Sequence, residues 1–232
     1  MSFDRWRSLV DGDEIDVQPA IPDSVVAQYQ NENFADPWPD SVGDADLDVV
    51  GLSRPDVLVE GDGQDDHAAG SPAVADKESW GLAFTINYED GDFGSDGYIR
   101  AFFEGTSFSY LIADPNIRVT LRDNSQNSFQ VETNNSYGNG TTRAVVINKP
   151  NDNPNDFDIF VDDMGESVAS TIKNDEGFDH TNTSTINPSL FARNDSGSFD
   201  RHLLGGIGVF EINDEPYSQS EREGFISRRS EV

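Results

Sequence analysis

The sequence contains no cysteine and only three lysines among its 232 residues. The lack of cysteine excludes disulfide bonds, thiolate catalysis and cysteine zinc sites. The shortage of basic residues disfavours nucleic-acid binding, because phosphate contacts need clustered Lys and Arg side chains. No apolar run reaches the roughly 18 residues that span a bilayer, and residues 1–10 have no apolar signal-peptide core. We therefore expect a soluble chain without nucleic-acid binding or membrane insertion.

Acidic residues dominate what is present. The chain has 30 Asp and 14 Glu against 12 Arg and three Lys, for a formal net charge of −29. Such an excess can indicate disorder, but Leu, Ile, Val and Phe number 56, about 24% of the chain, above the roughly 20% below which disorder is expected. Molar salt shortens the Debye length to about 3 Å and screens the repulsion. Acidic excess with almost no lysine is typical of proteins from extreme halophiles; an ordinary acidic protein is the alternative.

Short β-prone segments recur between turn clusters, and no helix of ordinary length is predicted. Asn139-Gly140 is a turn pair that tolerates positive φ. Regular short strands of this kind predict an all-β sandwich or jelly roll of two antiparallel sheets, and the length suits one such domain. The predicted strands are Val25–Tyr29, Trp80–Tyr88, 98–103, 108–112, 117–122, 128–132, 143–148, 157–161, 168–172, 190–193 and 207–212.

Two segments depart from this pattern. In residues 1–20, apolar side chains such as Phe3 and Trp6 stand close to helical spacing beside Arg5. This segment is interpreted as an N-terminal arm that docks on a partner; a strand-like tail packed on its own domain, or a frayed terminus, is the alternative. Near the other end, residues 218–221 have the spacing of a capping box, which predicts a short helical turn through Phe225.

Seven stretches are informative in their order along the chain: residues 21–27, 38–43, 60–67, 79–85, 157–163, 204–210 and 217–222. Together they resemble the concanavalin A-like and laminin G-like jelly-roll domains, including those of haloarchaeal virus proteins. The hairpin at 157–163 departs from the family pattern, with Phe160 in place of its tyrosine and Asp163 in place of its glycine. The resemblance covers about residues 21–228 and implies a sandwich over 21–232, while function on such a fold belongs to particular sites.

The hydrolases of this fold bracket a sugar with two carboxylates on one strand face. Glu211, Asn213 and Glu215 share a face by their spacing, but the central residue is Asn where these hydrolases carry Asp, and Pro216 ends the strand. The resemblance also makes this closing strand a structural edge. We therefore expect an exposed acidic strand end and no enzymatic activity, with a glycoside hydrolase as an alternative.

The sequence offers few residues for histidine catalysis or for metal binding. His67, His180 and His202 are the only histidines; none lies in a G-x-S-x-G elbow, and they cannot form a His-rich zinc site. We expect no cofactor, and solvation explains most acidic clusters in so acidic a chain. Laminin G-like domains often hold calcium with carboxylates at a loop rim, which leaves two clusters as weak calcium candidates. Their residues are Asp44, Asp46, Asp48, Asp62, Asp65 and Asp66.

Sugar binding without hydrolysis is a further hypothesis, because lectin-like faces stack sugars on exposed aromatic rings; core packing of these rings is the favoured alternative. The candidate rings are Tyr88, Phe93, Tyr98, Phe102, Phe103 and Tyr110. The overall interpretation is a virion surface protein of a halophilic archaeal virus, such as a capsid turret, decoration protein or tail-fibre subunit. Homo-oligomers, contacts to other virion proteins through the arm, and binding of host glycans are expected; a secreted haloarchaeal adhesin domain is the alternative.

Overall fold

A computed structural model of the chain describes most of residues 20–229 and two short strands before them. No helix in this described part is long and apolar enough to cross a membrane. The described ranges are 9–10, 13–14, 20–55, 57–62, 64–70, 74–77, 79–88, 97–103, 106–112, 116–122, 125, 127–151, 153–162, 169–174, 177–178, 184–191, 193–195, 198–200 and 203–229.

Antiparallel strands make up nearly all the regular structure of these residues, with one α-helix near the end. Short 3₁₀ turns lie at Asn31–Asn33 and Pro154–Asp156. The helix is α1, Gln219–Arg229. The strands are β1 Leu9–Val10, β2 Asp13–Glu14, β3 Val25–Tyr29, β4 Leu47–Val50, β5 Val59–Asp62, β6 His67–Gly70, β7 Val74–Lys77, β8 Trp80–Tyr88, β9 Gly97–Phe103, β10 Thr106–Ile112, β11 Asn116–Arg122, β12 Ser128–Ser136, β13 Arg143–Lys149, β14 Asp158–Val161, β15 Ala169–Asn174, β16 Ser184–Leu190, β17 Arg193–Asp195, β18 Ser198–Asp200 and β19 Leu204–Asn213.

Two large sheets form the body of the protein. Among the described strands, one sheet has nine, in the order β15-β12-β11-β10-β9-β16-β6-β4 with β7 beside β16. The other has six, in the order β14-β13-β8-β19-β3 with β5 beside β19. Both strands of the long pair β8 and β19 lie inside the six-stranded sheet, so its centre is built from residues far apart in the chain.

The main hydrophobic core lies between the sheets. Alternate residues of β8, among them Leu82, Phe84 and Ile86, are fully buried in it, as expected for strands whose side chains alternate between faces. The nine-stranded sheet contributes Val119 and Phe129 among others. The all-β sandwich expectation is therefore confirmed, while the jelly-roll strand order stays a prediction.

Most of the predicted strands are found, two of them residue for residue, Val25–Tyr29 and Trp80–Tyr88. Gly140 has the positive φ, 69°, expected of its turn. The predicted strand at 190–193 is wrong: β16 ends at Leu190, and Phe191 has a φ of 67°, which breaks the extended backbone before β17 begins.

Helix α1 begins with the predicted capping box. The Ser218 N–H donates to Glu221 Oε2 at 2.7 Å, and the Glu221 N–H donates to Ser218 Oγ at 3.4 Å. The helix is longer than predicted, since it continues past Phe225 to Arg229. Its last turn carries two arginines, which become part of the site described below.

The N-terminal arm is described only in part. β1 and β2 pair antiparallel, with Leu9 opposite Glu14 and Val10 opposite Asp13. Residues 1–8, 11–12 and 15–19 lie outside the described residues. The arm at 1–20 as a docking segment therefore stays a prediction.

Candidate functional site

The outer face of the six-stranded sheet carries a second, smaller hydrophobic cluster. Ala83, Val146 and Phe160 point away from the main core and pack with Phe225 of α1 and Tyr217 before it. Helix α1 therefore covers part of this face. The polar residues of the same face, which alternation alone would expose to solvent, are enclosed beside the helix.

Glu211 of β19 is the centre of this enclosed polar region. Its side chain is completely buried, and Arg228 donates to its Oε1 at 2.7 Å. Gln28 also donates to Oε1, at 2.7 Å, and the Tyr217 hydroxyl donates to Oε2 at 3.3 Å. Burial, together with the Glu211 charge, raises the pKa of Tyr217 well above its ordinary value, so this hydroxyl remains a donor at any physiological pH. Both oxygens of Glu211 are thus engaged.

A second carboxylate, Asp162, joins two arginines on the same side of the sheet. It directly follows β14 with a φ of 53°, a conformation that Asp tolerates better than most residues. Arg143 donates to its Oδ2 at 2.7 Å and Arg229 to its Oδ1 at 2.5 Å. Burial opposes ionisation of Asp162, but hydrogen bonds from Arg143, the Ala144 N–H and Arg229 outweigh it and lower the pKa of Asp162 below its ordinary value. Two guanidiniums and one carboxylate leave this cluster with a net charge of 2 − 1 = +1.

Between the end of α1 and the sheet lies an open depression, which we call the helix groove. It has two adjacent compartments of about 340 Å³ and about 290 Å³, near the lower end of the range of roughly 300–1,000 Å³ for ligand pockets. Thr85, Val209 and Arg229 line both compartments. The first compartment also contains Asn31, Val57, Leu58, Thr142, Gly208 and Ile226. The second also contains Ile21, Gln28, Gln30, Glu32, Glu211, Phe225 and Arg228.

The floor of the groove is shaped by an irregularity in β19. Its register against β8 shifts between Ile207 and Phe210, which frees the Val209 N–H to donate to Thr85 Oγ1 at 2.9 Å. A Cβ on Gly208 would lie 2.2 Å from that oxygen, so glycine is needed for this close approach. β-Bulges often lie next to functional sites, where they redirect side chains.

Asn31 in the wall of the first compartment has an unmet hydrogen-bonding group. Its Nδ2 donates to the carbonyl of Val57, which fixes the orientation of the amide. Its Oδ1 is buried and has no hydrogen-bond partner among the described residues. A buried acceptor without a partner costs about 1–3 kcal/mol, which a donating group of a ligand would recover.

The structure corrects the expectation for the closing strand. Glu211 and Asn213 are completely buried and Glu215 is exposed, so the segment is not a uniformly exposed acidic strand end. β19 is also not an edge, since β8 lies on one side and β3 and β5 on the other. The error arose because strand alternation says nothing about α1, which covers this face. Glu211 and Glu215 therefore do not form the matched pair of accessible carboxylates that glycoside hydrolysis requires.

Of the two candidate calcium clusters, the structure brings the carboxylates of one together and not those of the other. Asp62, Asp65 and Asp66 each place one carboxylate oxygen within 4.8 Å of the others. Among the described residues, no such group includes Asp44, Asp46 or Asp48; all three are exposed, and Asp46 instead accepts a hydrogen bond from the Asp40 N–H at 2.9 Å. Calcium binding by Asp62, Asp65 and Asp66 stays a prediction.

Asp66 gives this cluster a distinctive pH dependence. Burial is the main cause that raises the pKa of Asp66, with the nearby Asp62 contributing. The pKa of Asp66 is higher in the folded state than in the unfolded state, so its contribution to the stability of the fold is fully present below about pH 4. This contribution is lost as the pH rises through the folded-state pKa of Asp66. We expect Asp66→Asn to stabilise the protein at pH 7 without calcium, and this advantage to vanish on acidification, in thermal melts at each pH.

The matched control is Asp65→Asn, which changes an exposed neighbour and is expected to alter stability by no more than about 0.5 kcal/mol. A resident calcium ion would reverse the result. In that case CaCl2 would raise the melting temperature of the wild type, and Asp66→Asn would abolish the rise.

The other predicted site residues contribute little to a described site. Tyr88 lies in the core, 2% exposed, which supports the core alternative for that ring. Strands β9 and β10 contain four more of the candidate rings, Tyr98, Phe102, Phe103 and Tyr110, and only their backbone is described. Phe93, His180 and His202 lie outside the described residues. His67 begins β6, and its Nδ1 lies 3.0 Å from the Asp65 carbonyl.

Sequence reasoning did not find the helix groove. Asn31, Thr85, Thr142 and Arg229 lie in four different elements or turns, and nothing in the chain marks them as neighbours. The one local signal is Gly208, since glycine within a strand pattern indicates a bulge or a close approach.

Several solved structures have a similar fold. The Trypanosoma rangeli sialidase in complex with 2,3-difluoro-KDN matches 90% of this chain and 33% of its own, with a TM-score of 0.57 and 14% identity. The botulinum neurotoxin serotype D ligand binding domain in complex with N-acetylneuraminic acid matches 88% of this chain and 51% of its own, with a TM-score of 0.65 and 14% identity. The botulinum neurotoxin serotype D binding domain matches 89% of this chain and 51% of its own, with a TM-score of 0.68 and 13% identity.

These similarities establish the fold. The chain spans about a third to a half of the length of these proteins, and at such identities a common sandwich does not establish a common activity. The sandwich implied by the concanavalin A-like and laminin G-like resemblance is confirmed at this level. No protein-family model matches the sequence, and a search of curated proteins finds no match either.

Proposed function

We propose that the protein is a non-enzymatic, lectin-like module that binds glycans in the helix groove. The observation that carries this proposal is the groove itself: hydroxyl, amide and guanidinium groups surround an apolar floor at Val209. Sugars present hydroxyls at their edges and C–H groups on their faces, so a pocket of this mixed character suits them. The unpartnered Asn31 Oδ1 supplies an acceptor for a sugar hydroxyl.

Similar folds support this proposal. A binding domain of the same fold was solved with N-acetylneuraminic acid, and a sialidase of the same fold with a related sugar acid. Both structures contain a bound carbohydrate: one protein is a ligand binding domain and the other is an enzyme. These similarities support glycan recognition as the proposed function of this chain, with the helix groove as its site.

Binding without hydrolysis is favoured by the state of Glu211. Glu211 is completely buried, and Gln28, Tyr217 and Arg228 donate to its two oxygens. This arrangement suits a structural carboxylate better than a nucleophile or a general acid that must reach a sugar. Glu215 is exposed at the strand end. The hydrolase alternative required both carboxylates to face one cleft with defined separation.

The proposed setting is the surface of a haloarchaeal virus particle. The net charge of −29 with three lysines supports a high-salt environment, and the family resemblance supports a turret, decoration or tail-fibre subunit. A homo-oligomer fits the symmetric assemblies of virions, with residues 1–20 as the docking arm. Host surface glycans would then be the ligands. A secreted haloarchaeal adhesin domain is the alternative setting and has the same binding function.

A glycan array tests the binding function. The protein, labelled on its single N-terminus and kept in multimolar KCl, is expected to retain a restricted set of glycans without releasing reducing sugars. Uniform absence of signal in conditions that preserve the fold would refute lectin-like binding. Release of reducing ends from a retained glycan would instead support the hydrolase.

Particle association tests the setting. The full chain is expected to copurify with virus particles through density-gradient centrifugation, and a chain lacking residues 1–20 is expected to remain at the top of the gradient. The truncated chain must still show the cooperative melt of the sandwich. Particles that carry the truncated protein at the wild-type level would contradict the docking arm.

A further inference from the structure

The two compartments of the helix groove differ in the hydrogen bonds they can offer. In the first compartment, Thr85 Oγ1 already accepts from the Val209 N–H, and Thr142 Oγ1 accepts from Asn87 Nδ2 at 3.2 Å. Among the described residues, neither hydroxyl hydrogen has an acceptor. Each hydroxyl therefore keeps an unused O–H donor beside the compartment.

Arg229 adds further donors. One of its nitrogens donates to Asp162 and another to the Thr142 carbonyl, which uses two of the five N–H groups of a guanidinium. Arg229 lines both compartments, and of the described residues that line the first compartment it is the sole charged one. Asp162 does not cancel this charge, because Arg143 shares the same carboxylate and leaves the cluster at 2 − 1 = +1.

The second compartment has a balanced charge, with Arg228 and Arg229 against Glu211 and Glu32. Its carboxylate Glu211 and its amide Gln28 are engaged with each other and with Arg228. Gln30 donates to Gln28, and the exposed carboxylate of Glu32 lies at the rim. An anionic group would therefore meet two carboxylates beside the two guanidiniums of the second compartment. In the first compartment it would meet one guanidinium and two hydroxyl donors, with no carboxylate among the described lining residues.

We propose that the first compartment binds the anionic group of an acidic sugar residue, a carboxylate or a sulfate ester. The anion accepts from Arg229 and from the Thr85 and Thr142 hydroxyls, and a ring hydroxyl of the same sugar donates to Asn31 Oδ1. Charge-assisted hydrogen bonds to guanidinium are stronger than neutral ones, and contacts within about 3 Å persist at molar salt. This inference rests on the proposed glycan binding and specifies its ligand class.

The test compares three probes on a sensor surface: biotinylated glucuronoside, glucoside and glucoside 6-sulfate, in KCl at a concentration that keeps the chain folded. The wild type is expected to bind at least one acidic probe about tenfold more tightly than the glucoside. The carboxylate and sulfate probes separate the two sources of the charge.

Two variants locate the effect. Arg229→Gln is expected to remove about tenfold in affinity for the acidic probe and thereby to abolish the preference for the acidic probe over the glucoside. Because Arg229 also pairs with Asp162, a second variant is needed that preserves every charge. Val209→Trp fills the groove from its partly exposed floor and is expected to abolish binding of all three probes.

The matched control is Val50→Trp, which places the same side chain at a 45% exposed valine on edge strand β4 and should leave binding unchanged. Equal affinity for the acidic and neutral probes, or an acidic preference that survives Arg229→Gln, would overturn the acidic-sugar inference while glycan binding stands. No binding of any probe or of any array glycan would overturn the proposed function itself.

Discussion

Glu211→Gln is expected to lower the free energy of unfolding by about 3–5 kcal/mol, because it leaves the Arg228 guanidinium buried without its counter-charge. Glu211 is 0% exposed and the Arg228 side chain 16% exposed, so water replaces little of the lost interaction. In a chain of 232 residues, each 1 kcal/mol shifts the melting temperature by about 2–4 °C. Thermal melts should therefore show a fall of roughly 10 °C.

Glu215→Gln is the matched control, since it makes the same chemical change four residues later at an exposed position. We expect it to change stability by no more than about 0.5 kcal/mol. A double-mutant cycle with Arg228→Gln should give a coupling energy of about 0.5–3 kcal/mol. Equal small effects at positions 211 and 215 would contradict the buried network and restore the view of an exposed acidic strand end.

The second large effect is a dependence of stability on salt. We expect the melting temperature to rise by about 10 °C or more between 0.05 M and multimolar KCl, because screening removes repulsion among exposed carboxylates. Described examples of exposed carboxylates include Asp23, Glu32, Asp44 and Asp156. Lys149 is 4% exposed and donates to the Asn151 carbonyl, so this lysine adds almost no apolar stem to the surface.

Sucrose at matched osmolality separates screening from preferential exclusion, which also favours compact states. Sucrose should reproduce only part of the rise. Stability at low KCl that equals or exceeds the value in multimolar KCl would contradict the halophilic interpretation, and with it the haloarchaeal setting.

Local patterns predicted those elements whose causes are local. The alternation in Trp80–Tyr88 reflects a strand with one face in the main core, and Ser218 with Glu221 carries its capping signal within four residues. Strands β5 and β6 were missed because Asp, Gly and Ala dominate Val59–Asp62 and His67–Gly70, and these residues have low intrinsic strand propensity. Their neighbours in the sheets supply the missing stability.

The site could not be predicted because it depends on contacts across the chain. Glu211 looks solvent-exposed by its neighbours in sequence, and its burial follows from α1, which packs through Phe225 on the outer face. Arg229 reaches Asp162 across 67 residues. Acidic clusters, in contrast, are visible in the sequence but not informative. They are frequent in a chain with 30 Asp, so clustering alone has little value as a signal of metal binding.

Glycan binding in the helix groove is tested most directly by a crystal structure of the protein grown in high KCl with the glycan that ranks first on the array. The proposal predicts a sugar residue seated over Val209, with its anionic group within hydrogen-bond distance of Arg229 and the Thr85 hydroxyl. A glycan bound elsewhere, such as at the Asp62 to Asp66 loop, with the groove free of sugar, would contradict it.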